Sequence, residues 1–160
     1  MKAYKNKSAK YPGIGLLLLA ILLTAGCGAK IIRGAAPMVR MNELSHQDNS
    51  ITLKLSMRNL NGVELDIHSI DFSLSVNDDE LFSYQGPAET NIVANGTETW
   101  SVTVEESQSS RELLDSLQSG EIKSLPYTLK GSIKSKQDGT LRFAHEGHIY
   151  PLPGRPGHFR

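Results

Sequence analysis

Three short stretches hold the residue types that could do chemistry. His145-Glu146-Gly147-His148 sets a carboxylate between two imidazoles, the ingredients of a zinc hydrolase; Asn77-Asp78-Asp79-Glu80 gathers oxygen donors suited to a hard cation; Cys27 is the one thiol among 160 residues. Spacing decides what each can do. A zinc-binding H-E-x-x-H places its histidines four apart on one face of a helix, whereas His145 and His148 are three apart in an alternating stretch. On a strand, positions i and i+3 point to opposite faces and cannot clasp one metal. The acidic stretch lacks the D-x-[DN]-x-[DN]-G spacing of a calcium loop and reads as a solvated hairpin tip. Serine, histidine and aspartate all occur, but there is no G-x-S-x-G and nothing that pairs them. Asn95-Gly96-Thr97 fits a glycosylation acceptor by pattern alone. Trp100 lies on an alternating run, where core packing is its duty. No catalytic residue, metal site or cofactor is therefore expected, and the chain does not read as an enzyme.

Cys27 needs a different account, because a lone thiol makes no internal disulfide and this one ends an apolar run. Lys2, Lys5, Lys7 and Lys10 form a basic start without acids, Ile14 to Leu23 are apolar, and Thr24, Ala25 and Gly26 are small. These are the three parts of a secretory signal. The apolar run would span about 15 Å as a helix, half of a bilayer's ~30 Å hydrocarbon core, so it suits a cleaved leader better than a membrane span. The residues LTAGC resemble the bacterial lipobox, in which the cysteine receives a diacylglycerol and signal peptidase II cuts before it. The resemblance implies cleavage between Gly26 and Cys27, acylation of the new amino group, and Cys27 as the first residue of the mature protein. Two or three acyl chains make a stable anchor where one is marginal. An ordinary signal peptide with an incidental cysteine is the alternative. By analogy with bacterial lipoproteins, Gly28 in place of an aspartate favours delivery to the outer membrane.

Charge must be recounted without the leader. The whole chain balances 17 basic against 17 acidic residues, and loss of the four lysines leaves a net charge of −4. A mildly acidic domain without a basic stripe offers no footprint for nucleic acid. The organisation expected is a leader at 1–26, a lipidated tether at 27–37, one domain at 38–153 and a flexible tail at 154–160. The tail follows from PLPGRPGHFR, whose prolines and glycines suit neither a central strand nor a helix.

Within the domain the apolar residues alternate. Ile51, Leu53, Leu55 and Met57 form one such set; Ile70, Phe72, Leu74 and Val76 a second; Trp100, Val102 and Val104 a third; Tyr127, Leu129 and Ile133 a fourth. Each is the period-two mark of a strand with one buried face. Asn61-Gly62, Asn77-Asp78-Asp79, Asn95-Gly96 and Asp138-Gly139 supply turns. Val63, Leu65 and Ile67 are apolar at odd positions and the run from Ile70 at even ones, so a bulge is expected near His68-Ser69. SSRELLDSLQSG breaks the pattern: Ser109 or Ser110 can cap a helix, Leu113, Leu114 and Leu117 share a face, and Gly120 stops it. The fold class is all-β, an antiparallel sandwich with one short inserted helix.

MRNLNGVELDIHSIDFSLSVNDDELF resembles the opening of the late embryogenesis abundant type 2 domain, also called the water stress and hypersensitive response (WHy) domain. There a strand ends in Asn-Pro-Asn and an alternating strand and tight turn follow. Asn59-Leu60-Asn61 matches the triplet with Leu60 in the place of proline. NIVANGTETWSVTV is similar to a later turn and strand, and GHIYPLPG to the closing strand. The resemblance spans roughly residues 37–153. It implies a fibronectin-III/immunoglobulin-like sandwich and an association with protection against water stress and cold, without an agreed catalytic site. The leading expectation is a non-catalytic lipoprotein with its domain facing the periplasm. The alternatives are an envelope adaptor that binds a protein through a sheet edge and, third, a carrier of a small apolar ligand.

Overall fold

Residues 31–160 are described by the computed structural model, so the expected leader, with Gly26 and Cys27 at its boundary, lies outside the described residues. Eight strands and one helix follow in order: β1 (Met38–Gln47), β2 (Ser50–Arg58), β3 (Leu65–Val76), β4 (Asp79–Ile92), β5 (Thr97–Glu105), α1 (Gln108–Gln118), β6 (Leu125–Ser135), β7 (Gly139–Ile149) and β8 (His158–Phe159). They build two four-stranded sheets, ordered β5-β2-β1-β8 and β4-β3-β6-β7. Every pairing is antiparallel. The protein is an all-β sandwich with a single short helix among the described residues.

The alternation seen in the sequence is the cause of the layering. Ile51, Leu53, Leu55 and Met57 on β2 are fully buried, as are Leu74 on β3 and Leu129 and Ile133 on β6, and these sets meet between the sheets. The bulge falls where the change of phase demands it: pairing of β3 skips from Ile67 to Ser69 against both β4 and β6. One extra residue thus lets Leu65 and Ile67 point inward before it and Ile70, Phe72, Leu74 and Val76 after it. Trp100 is half-buried and meets Phe72 edge-on at 6.5 Å between ring centroids and Tyr84 at 5.5 Å.

Asn77 (φ 52°) and Asp78 (φ 70°) take the two left-handed positions of the β3–β4 hairpin. Asp48 (φ 52°) and Asn49 (φ 65°) do the same for β1–β2. Asn61-Gly62 is not a hairpin turn; it lies on the link from β2 in one sheet to β3 in the other. The helix is capped by Ser107, whose Oγ accepts from Ser110 N–H at 3.1 Å, rather than by Ser109 or Ser110. Ser110 is buried and its hydroxyl donates to the Leu81 carbonyl at 2.9 Å, so it docks the helix onto β4.

Both ends of the domain differ from expectation. The stretch expected as a flexible tail is paired in the structure: His158 and Phe159 pair with Ser45 and Leu44 of β1, and Phe159 is wholly buried. Its prolines and glycines make the turn that lets the chain come back, with Gly154 and Gly157 at φ 76° and 73°, and one terminal aromatic ring fixes the end. The expected tether is also bonded where described, since Ile32 O accepts from Gly62 N–H at 3.0 Å and Ala35 bonds to the side chain of Asn61.

Candidate functional site

The Asn-x-Asn triplet marks the most organised polar site of the domain. Asn59 and Asn61 are fully buried. Asn59 Nδ2 donates to the carbonyls of Val63 (2.8 Å), Ile92 (3.0 Å) and Val93 (3.2 Å), while its Oδ1 accepts from the backbone and side-chain nitrogens of Asn61 at 2.8 and 2.9 Å. Asn61 in turn accepts from Ala35 N–H at 2.8 Å and donates to Ala35 O at 2.9 Å, as a strand neighbour would. Three segments that no sheet ladder unites, around residues 31–35, 59–63 and 92–96, are thereby tied at one end of the sandwich. An amide is suited to this, carrying donors and an acceptor without a charge that burial would penalise.

Two carboxylates organise the region around the C-terminal strand. Glu43 on β1 accepts from His158 Nδ1 (2.8 Å), Arg155 (3.2 Å) and Lys54 (3.3 Å). The hydrogen bond from His158 first, then Lys54 and Arg155, hold its carboxyl below the usual glutamate value against the opposing effect of burial. Glu106, its side chain 1% exposed, bonds to His46 Nδ1 (2.9 Å) and Arg111 Nε (3.0 Å). His46 Nε2 faces Asp115 at 3.6 Å. Neither imidazole has a hydroxyl or thiol among its hydrogen-bond partners, so the arrangement ties β1, α1 and β8 together and presents no nucleophile–base pair.

His145 and His148 occupy opposite faces of β7, the first half-buried and the second exposed. Burial pushes the His145 imidazole down and the Tyr127 phenol up, and Arg40 also lowers both. Both shifts favour the uncharged forms at neutral pH, in which Tyr127 Oη and His145 Nδ1 share a hydrogen bond of 3.0 Å. Asp78 and Asp79 sit at the exposed β3–β4 tip, and no three His, Cys, Asp or Glu side chains among the described residues are grouped to hold a metal. A surface hollow of about 210 Å³ is lined by Asp66, Ile67, Glu89, Thr90, Asn91 and Lys136. Its walls are polar and its volume falls below the ~300 Å³ at which small-molecule sites begin, which does not suit an apolar cargo. Asp66 there is held below the usual aspartate value by its hydrogen bond from Asn91.

A two-sheet antiparallel sandwich closed at one end by a buried Asn-x-Asn pair defines the class. A family model described as late embryogenesis abundant protein matches residues 54–147, more than half of the chain. The chain belongs to that family. Among solved structures, a protein from Archaeoglobus fulgidus is 15% identical, with 74% of this chain and 98% of that one covered and a TM-score of 0.43. A protein from Arabidopsis thaliana is 15% identical over 84% and 94% of the two chains, with a TM-score of 0.49. The solution structure of a second protein, described as late embryogenesis abundant, is 18% identical over 90% and 86%, with a TM-score of 0.48. The comparison with curated proteins gives no match.

Proposed function

We propose that the protein is a non-catalytic, lipid-anchored envelope lipoprotein whose late embryogenesis abundant type 2 domain protects the cell in water or osmotic stress. Cys27 carries the lipid, Gly26–Cys27 is the signal peptidase II junction, and the anchor sits in the outer membrane with the domain facing the periplasm. The observation that carries this reading is the combination, in one chain, of a lipobox-like LTAGC and a late embryogenesis abundant domain beginning shortly after it. No cofactor other than the covalent lipid is invoked, and nucleic acid is not a partner. Supporting the protective role, the domain's buried side-chain polar atoms all have hydrogen-bond partners, which suits a stable scaffold acting through its surface.

One observation favours the adaptor as a second reading. β5 is an edge strand of nine residues with its outer backbone unpaired in the sheet, a template for strand addition. The two readings separate in one strain. Cross-linking tagged protein in the envelope and identifying captured species, with Cys27→Ser as the mislocalised control, is expected to yield no stoichiometric companion, while a deletion strain loses survival after drying or osmotic shock. One partner captured at near-equal amount, with a deletion strain that dries as well as its parent, would replace protection by adaptation.

A further inference from the structure

The exposed large apolar side chains of the described domain are not scattered. Ile31 (59% exposed), Ile32 (55%), Met38 (37%), Leu60 (37%) and Val93 (59%) stand against a single other, Tyr150 (50%). The first group lies at one end of the sandwich and Tyr150 at the other. The buried asparagines are what gather them. Leu60 is the central residue of the triplet; Val93 O is a carbonyl to which Asn59 donates, and Ile32 O accepts from Gly62 N–H. Met38 opens β1 opposite Arg58, the last residue before the triplet. Two glycines let the side chains lie close: a Cβ on Gly62 would meet Ile31 Cγ2 at 3.2 Å, and one on Gly96 would meet Val93 Cγ2 at 2.5 Å.

We infer that this end of the domain is a membrane-contacting surface: Ile31, Ile32, Leu60 and Val93 rest in the headgroup region of the bilayer that holds the lipid on Cys27. The inference rests on the lipid-anchor reading and adds an orientation to it. The covalent chain supplies the main argument. Ile31 is four positions after Cys27, so the two are at most about 14 Å apart even when fully extended, and the headgroup layer is itself several ångströms deep on each side. A lipidated Cys27 thus keeps this apolar end at the bilayer whatever the intervening residues do. Clustered apolar side chains rimmed by polar ones are the surface such an interface takes up. The rim is charged with both signs: exposed Arg33 and Arg58 on one side, and Glu64 and Asp66, both bonded to Asn91, Asp138 beside Gly34 and exposed Glu98 on the other. Leu60, where the family triplet has proline, places an aliphatic side chain at the tip. The far end is held away by the 11 residues of β7, about 35 Å of strand.

The test uses the full chain processed in cells, reconstituted into vesicles of phosphatidylethanolamine and phosphatidylglycerol. With Cys27 in thioether linkage, a cysteine introduced as Leu60→Cys or Tyr150→Cys is the one free thiol and takes an environment-sensitive dye. Both positions are exposed, so neither label disturbs the core. The expected result is that protein floats with the vesicles, that the label at position 60 is quenched several-fold more strongly by headgroup-proximal spin-labelled lipid than the label at position 150, and that adding Val93→Glu and Ile32→Glu reduces the difference. Flotation with equal quenching at both positions overturns the membrane surface and leaves the anchor standing. An envelope protein cross-linked at position 60 in place of lipid quenching assigns the surface to that partner and overturns it too. Failure to float removes the anchor, and the inference falls with it.

Discussion

Asn59 receives Asn61 twice, its Oδ1 accepting the backbone N–H at 2.8 Å and the side-chain Nδ2 at 2.9 Å. Two residues apart in sequence and both fully buried, they form one polar unit whose remaining hydrogen bonds reach residues 35, 63, 92 and 93. The triplet that carries the family resemblance is thus a structural lock, and the loops it fixes include those that display Leu60 and Val93.

Asn59→Ala leaves the carbonyl of Ile92 and the N–H of Asn61 without their Asn59 partner in a buried site, while the Val93 carbonyl keeps the Gly96 N–H. The expected loss is about 3 kcal/mol, since each stranded buried polar group costs about 1–3 kcal/mol. Asn61→Ala, which frees chiefly Ala35, costs less and releases residues 31–35. Urea unfolding of both variants, with hydrogen exchange at Ala35, measures the two effects; equal losses would contradict the hierarchy.

Phe159→Ala is expected to destabilise the domain by about 3–5 kcal/mol, the usual range for truncating a buried phenylalanine. A chain ending at Pro153 should lose at least as much. Thermal unfolding measures this, and a melting temperature unchanged by either alteration would mean that the last seven residues do not hold β8 on β1.

Legibility in the sequence followed sequence distance and pattern. β2, β3, β5 and β6 announce themselves because apolar residues alternate along them toward the core, although on β5 only Val102 is buried. β1 does not: its pairing with β2 skips between Met41 and Glu43, and that bulge breaks the alternation on which recognition depends. β8 is two residues long and hidden behind prolines and glycines that read as disorder, although they form a turn. The carboxylate clusters left no local signal at all. Glu43 and His158 are 115 positions apart and His46 and Glu106 are 60 apart, so only the fold brings them together. The buried asparagines were legible through the family triplet, but that they bind Ala35 and the β4–β5 link required the structure.

Glu43 predicts an acid-sensitive contribution to stability. Its folded pKa lies below its ordinary value of 4.5, so its stabilisation is full above that pH and is lost as pH falls through the lower folded value. Glu43→Gln should therefore lower stability at pH 7 and flatten the acid limb of the profile. Denaturant titrations from pH 7 to pH 2 test it; parallel wild-type and variant profiles would contradict the assignment.

Purified protein is expected to carry no stoichiometric zinc or calcium by elemental analysis. The geometric reason is that His145 and His148 face opposite ways on β7 and that Asp78 and Asp79 lie at an open hairpin tip. One equivalent of zinc lost in His145→Ala, or of calcium lost in Asp78→Asn, would return those stretches to consideration.

Mass spectrometry of the N-terminal peptide from detergent-extracted protein decides whether Cys27 is the lipidated first residue of the mature protein. The expected peptide begins at Cys27, with a diacylglycerol in thioether linkage and an acylated amino group, and the Cys27→Ala form is expected to stay at precursor size. A peptide that runs through Gly26–Cys27 with an unmodified thiol would contradict it.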